Sequence, residues 1–187
     1  MKRRAWLTKF PADKITRIDK SMQALDHRAT EMFEGDDGEI HIALRPGCWL
    51  EGPVLTNLLE QARSFCIDGT DMRVSYEASA ADLDDRTQSL GRQTKRSLLR
   101  GSREPYDSAI PEDKHDALDA ITRFLFVTFD GDGCRMYQPS ADKCLVSLAA
   151  SRVLSSELVE LARAPHVVGW RVVAGEDDSE ARVEVFV

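Results

Sequence analysis

The carboxy-terminal stretch constrains the fold most. Residues 167–173 and 181–187 are two β-prone runs flanking Gly175-Glu176-Asp177-Asp178-Ser179, a polar loop of hairpin type. A strand that closes the chain makes the C-terminus part of a sheet. Further strands are legible upstream. Ile40, Ile42 and Leu44 alternate with Glu39, His41 and Arg45, and Met72, Val74 and Tyr76 alternate in the same way, the period of a half-buried strand. The run Phe124-Leu125-Phe126-Val127-Thr128-Phe129 is apolar and β-prone, as in a strand covered on both faces. Gly131-Asp132-Gly133 turns the chain, and Cys134, Met136 and Tyr137 return as its hairpin partner.

Helical periods lie between these runs. Ile15, Ile18, Met22, Leu25, Ala29 and Met32 recur at spacings of three and four, so the spacing predicts one helix over 11–33, ended by Gly35. The stripe suits packing onto a sheet, or a homodimer seam through helix 15–32. Pro53 opens a second helical face of Val54, Leu55, Leu58, Leu59, Ala62 and Phe65, closed by Asp68-Gly69. Strand, helix and strand over 40–76 suggest a βαβ crossover, with an antiparallel arrangement as the alternative. Pro111 opens a short helix containing Ala117, Leu118 and Ile121. Leu154, Leu158, Leu161 and Ala162 make a last helical face ending before Pro165. Residues 143–150 read equally as strand or helix. No internal repeat or low-complexity segment is visible.

The expected fold is α+β: a single domain over residues 1–187, with a mixed or antiparallel sheet, a C-terminal β-hairpin and three to five packed helices. A flexible basic connector is expected around residues 86–111, where Gly101, Pro105 and Pro111 punctuate a polar stretch. At 187 residues the chain fits one generous domain and can bury roughly 70% of its unfolded surface without staples. No apolar run approaches the roughly 20 residues that span a bilayer. The basic start at Lys2, Arg3 and Arg4 leads into Lys9, Pro11 and Asp13 rather than an apolar export signal. The expected location is therefore cytoplasmic. Cys48, Cys66, Cys134 and Cys144 lack paired spacing, so they are expected to be reduced and mostly buried, with no zinc site. No metal and no cofactor is expected.

Formal charge is −7 but unevenly spread. Residues 86–103 hold six basic residues and no acid, and the rest of the chain is net −13. An acidic body repels nucleic acid and attracts basic partners. Asp82, Asp84 and Asp85, and Glu176, Asp177 and Asp178, are the loops expected to meet such a partner. In the basic segment Arg92, Arg96 and Arg100 would share one helical face beside Lys95, a candidate phosphate-contacting surface without an aromatic residue for base stacking.

Glu112, His115, Asp116 and Asp119 fall on one helical face by their spacing and are the candidate catalytic group. Glu-x-x-His on a helix resembles half of a di-iron ligand set, but no second copy follows. Acidic residues near a helix N-terminus also simply offset its dipole. Asp130-Gly131-Asp132-Gly133 starts like a calcium loop, yet Cys134 and Ala141 stand where oxygen ligands are needed, so a tight turn explains it. Nucleophile elbows, phosphate-binding loops and zinc-protease motifs are absent.

These readings favour a protein-binding module over an enzyme: an acidic intracellular inhibitor, immunity-type protein or adaptor that covers a basic partner. The alternatives are a hydrolase or metal-dependent enzyme with its site around residues 112–119, and nucleic-acid binding through residues 86–103.

Overall fold

The computed structural model describes residues 5–36, 38–77, 118, 121, 123, 124, 135–140, 143–150, 152–164, 167–176 and 179–187, with the backbone alone for 135–140 and 143. Among the described residues ten strands and three bounded α-helices follow one another. They are α1 (Ala12–Leu25), β1 (Ala29–Glu34), β2 (Ile40–Leu44), β3 (Trp49–Glu51), α2 (Gly52–Gln61), β4 (Ser64–Asp68) and β5 (Asp71–Ser75). After these come β6 (Arg135–Ser140), β7 (Lys143–Ala150), β8 (Val153–Leu154), α3 (Ser155–Ala162), β9 (Gly169–Val173) and β10 (Ala181–Phe186). Leu118, Ile121, Arg123 and Phe124, ahead of β6, are also helical. The protein is α+β with antiparallel sheets. No helix among the described residues is long and apolar enough to cross a membrane.

The strands form two sheets, not the one expected from the sequence. Their orders are β1-β2-β5-β4-β8 and β6-β7-β10-β9-β3, and every pairing is antiparallel. Adding five to each strand number of the first sheet's leading four gives the second sheet's leading four. The fifth strand of each sheet comes from the other half of the chain. The molecule is therefore two copies of one pattern, helix, hairpin, short strand, helix and hairpin, interlocked by exchange of β3 and β8.

Side-chain register carries the same repeat. Ile67 pairs with Met72 and Val153, while Val172 pairs with Val183 and Leu50. Ile67 and Val172 are thus equivalent, as are Leu50 and Val153. Each exchanged strand runs directly into its helix, where Leu55 and Leu58 of α2 correspond to Leu158 and Leu161 of α3, all four fully buried. The α2 helix packs on β9, and α3 on β4, so each half covers the other's sheet. Inward side chains from both sheets and all three helices share one hydrophobic cluster, which also takes in Leu118 and Ile121.

Several expectations are corrected by this geometry. The heptad stripe is not one helix: α1 stops at Leu25, and Asp26, at φ 47°, turns the chain out. Ala29 and Met32 belong to β1, so the stripe over 15–32 is no continuous seam, and Ile18, Leu25 and Met32 fill the chain's own core. No βαβ crossover forms over 40–76, because β2 and β5 are antiparallel neighbours. Phe65 lies in β4, not in the preceding helix. Phe124 is helical rather than the first residue of a strand, and β6 pairs with β7. Residues 143–150 are strand β7, and β9 and β10 pair antiparallel around the polar loop. The connector around 86–111 lies outside the described residues.

Candidate functional site

Three places gather chemistry. The first is the end of the molecule where turns from both halves meet. Gly175 N–H donates to Gly69 O at 2.9 Å, Gly47 N–H to Gly175 O at 3.2 Å, and Leu44 N–H to Thr70 O at 2.8 Å. Gly47 and Gly69, at φ 67° and 58°, supply backbone that other residues rarely adopt. Asp68 and Asp71 flank one turn, and Glu176 and Glu180 belong to the facing loop, with Asp68, Glu176 and Glu180 exposed. Arg45 is the cation in the third connector. His41 Nδ1 lies 3.0 Å from the Asp71 carboxylate and stacks on Phe33, which is 43% exposed.

The second place is the outward face of each sheet. On the second sheet the Glu184 carboxylate, 2% exposed, accepts hydrogen bonds from Arg171 Nε and from Arg182 Nε at 3.1 Å. The Arg171 guanidinium lies over Trp49 at 4.8 Å and Phe186 at 5.6 Å. On the first sheet the equivalent positions hold Arg73 for Glu184, Cys66 for Arg171 and Arg152 for Trp49. Arg152 Nε donates to Cys66 Sγ at 2.9 Å, and an Arg73 nitrogen reaches it at 3.7 Å. One repeat thus carries an ion pair where the other carries a thiol between two guanidinium groups. Nearby, burial at the start of α3 pushes the Glu157 carboxyl up to about 7, with the Glu160 charge adding to the rise. Its Oε2 still accepts from Leu154 N–H at 3.4 Å, capping the helix. Cys48, Cys66 and Cys144 are free thiols, and burial raises that of Cys48.

The third place is an open groove of about 590 Å³ between the start of α2 and the segment entering β9. It is lined by Gly52, Pro53, Thr56 and Asn57 on one side and by Ala162, Val167, Val168, Gly169 and Trp170 on the other. None of these residues titrates. Val168 is 84% exposed.

Among the residues singled out by sequence, Glu176 is described and sits in the meeting of turns. Glu112, His115, Asp116, Asp119, Asp82, Asp84, Asp85, Asp177, Asp178, Arg92, Lys95, Arg96 and Arg100 all lie outside the described residues. Among the described residues no three His, Cys, Asp or Glu side chains are grouped to hold a metal ion. Asp68-Gly69 does not close the second helix, which ends at Gln61, but stands at the β4–β5 turn that Asp68 and Asp71 flank; the groove escaped the sequence reading because it is assembled by strand exchange between distant segments. No family model matches the chain, and no characterised protein or solved structure shows a match to it.

Proposed function

We propose that this chain is a protein-binding module that covers a basic partner. The observation that carries the reading is the meeting of the 68–71 and 174–180 turns, which gathers exposed carboxylates from both halves at one end of a chain of net charge −7. Such an arrangement accelerates encounter with a positively charged surface and makes it salt-sensitive. The groove, whose described lining residues carry no titratable group, suits contact better than acid–base chemistry. An inhibitor, immunity-type protein or adaptor would use these features, and a cytoplasmic location accords with free thiols.

The test is capture from native lysate on the immobilised full-length protein in low salt, followed by a salt step. The reading expects a basic protein retained in stoichiometric amount, released by salt and lost from the Asp68→Lys, Glu176→Lys double variant. Retention of nothing beyond a blank support overturns it.

A further inference from the structure

Four strands end the two sheets, β1 and β8 in the first, β3 and β6 in the second. The exchanged strands β8 and β3 are two and three residues long, and Trp49 O of β3 already accepts from Arg28 Nε at 2.9 Å. Strand β6 contains Pro139, which has no N–H to offer along an edge. In β1 every residue keeps its donor. Gly35 N–H donates to Glu39 O at 2.9 Å, and alternation from that bond turns the backbone groups of Phe33 and Glu31 toward β2. Leu44 N–H, bonded to Thr70 O, has the matching phase, with the even-numbered residues of β2 facing β5. Met32 and Glu34 therefore point their N–H and C=O groups away from the sheet. Among the described residues nothing bonds to these four groups. The β-bulge between Ala29 and Glu31 ends the regular stretch on one side, and the turn at Gly35 ends it on the other.

The side chains along β1 select what such an edge accepts. Its outward face carries Glu31 and Phe33, and Phe33 is 43% exposed and stacks on His41. The cations beside the strand are already engaged, Lys9 with Glu34, Arg28 with Glu51 and His41 with Asp71. Exposed Glu31 and Asp36 have no ion pair among the described residues. A second copy adding its own β1 would set these carboxylates against their like, which destabilises a cross-strand pair. We propose that the β1 edge receives an extended basic segment of the protein partner, hydrogen-bonded to Met32 and Glu34. An apolar residue of that segment lies opposite Phe33, and a lysine or arginine two positions away, on the same face, lies beside Glu31. Strand addition to an open edge draws affinity from backbone hydrogen bonds and selectivity from alternate side chains. The assignment of β1 rests on the binding-module reading and gives that module a defined segment to hold.

The experiment is titration of the full-length protein, read by calorimetry and by amide hydrogen exchange, with three capped synthetic peptides. The first is Lys-Thr-Lys-Thr-Ile-Thr-Lys-Thr-Lys. The second is the same peptide N-methylated at the two threonines that flank isoleucine, and the third has glutamate for every lysine. The first peptide is expected to bind at least about tenfold more tightly than either other. It should also slow exchange of the Met32 and Glu34 amides and leave those of Glu31 and Phe33, already in the ladder, unchanged. Phe33→Ser and Glu31→Lys, both at exposed positions where folding is not at risk, should each weaken its binding. No binding of the first peptide at millimolar concentration, or binding without protection of Met32 and Glu34, overturns β1 as the docking edge. Equal, steeply salt-dependent binding of the first two peptides leaves the acidic-module reading standing while the edge falls. Equally tight binding of the glutamate peptide, with Met32 and Glu34 protected, keeps the edge and removes the basic partner.

Discussion

Gly52 lies beneath the indole of Trp170, so close that a methyl group at Gly52 would stand 3.1 Å from Cε2 and 3.3 Å from Nε1 of the ring. The first residue of α2, from one half, thereby fixes the aromatic wall of the groove, from the other. Substitution there presses on the ring rather than on backbone. Gly52→Val is expected to destabilise the fold by ~1–3 kcal/mol, as overpacking of a closed contact does. A urea midpoint equal to wild type would show that the indole is not held against the helix.

The ion pairs around Glu184 should be unequal. Arg171 is largely buried and also stacks on Trp49 and Phe186, whereas the Arg182 side chain is 53% exposed. Removing Arg171 leaves the buried Glu184 carboxylate to the exposed Arg182 alone and also removes the stacking on Trp49 and Phe186, so it is expected to lower stability by ~2 kcal/mol or more. Arg182→Ala should lower it by ~0–1 kcal/mol. Equal losses in chemical denaturation would refute this ranking by burial.

Glu157 links stability to pH. Its folded carboxyl titrates at about 7 against an ordinary 4.5, so the folded state holds the proton more tightly than the unfolded chain. The sign follows. Below about 4.5 both states are protonated and nothing is lost, and between 4.5 and about 7 the unfolded state alone ionises and stability falls. Glu157→Gln retains an acceptor for the Leu154 N–H, so it should match wild type in melting temperature at pH 4 and exceed it at pH 8. A variant less stable than wild type at pH 8 would contradict this.

Deleting residues 181–187 removes β10, which pairs with β7 on one side and β9 on the other. The truncated chain is expected to be insoluble or molten, with near-ultraviolet dichroism lost. Cooperative melting of that truncation would refute the central place of β10 in its sheet.

How much of this was legible depends on where the information lies. Alternation at 40–44 and 72–76, Pro53 at a helix start and the two terminal runs are local signals, and each lies in the element it announced, with Tyr76, Val167, Val168 and Val187 falling just past the element ends. The run from Ile15 to Met32 misled because a helix and a strand share one stripe by coincidence of spacing. The break is a single aspartate with positive φ, which no apolar period reveals. Phe65 misled because it sits where a longer α2 would have placed an inward residue. The repeat itself was hidden. Its equivalent positions share burial and not identity: Ile67 and Val172 or Gly52 and Ser155 look unrelated until strand pairing aligns them. The groove, made of segments more than a hundred residues apart, has no local signature at all.

The interlocking of the two halves is tested most directly by cutting the chain within the polar stretch at Gly101. Each half leaves its helix without a sheet, because α2 lies on β9 and α3 on β4, exposing Leu55 and Leu58 or Leu158 and Leu161. Residues 1–101 and 102–187 expressed apart should give no folded monomer, and expressed together they should copurify in equal amounts and melt in one transition. A cooperatively folded monomer from either half alone would contradict the exchange of strands on which the account is built.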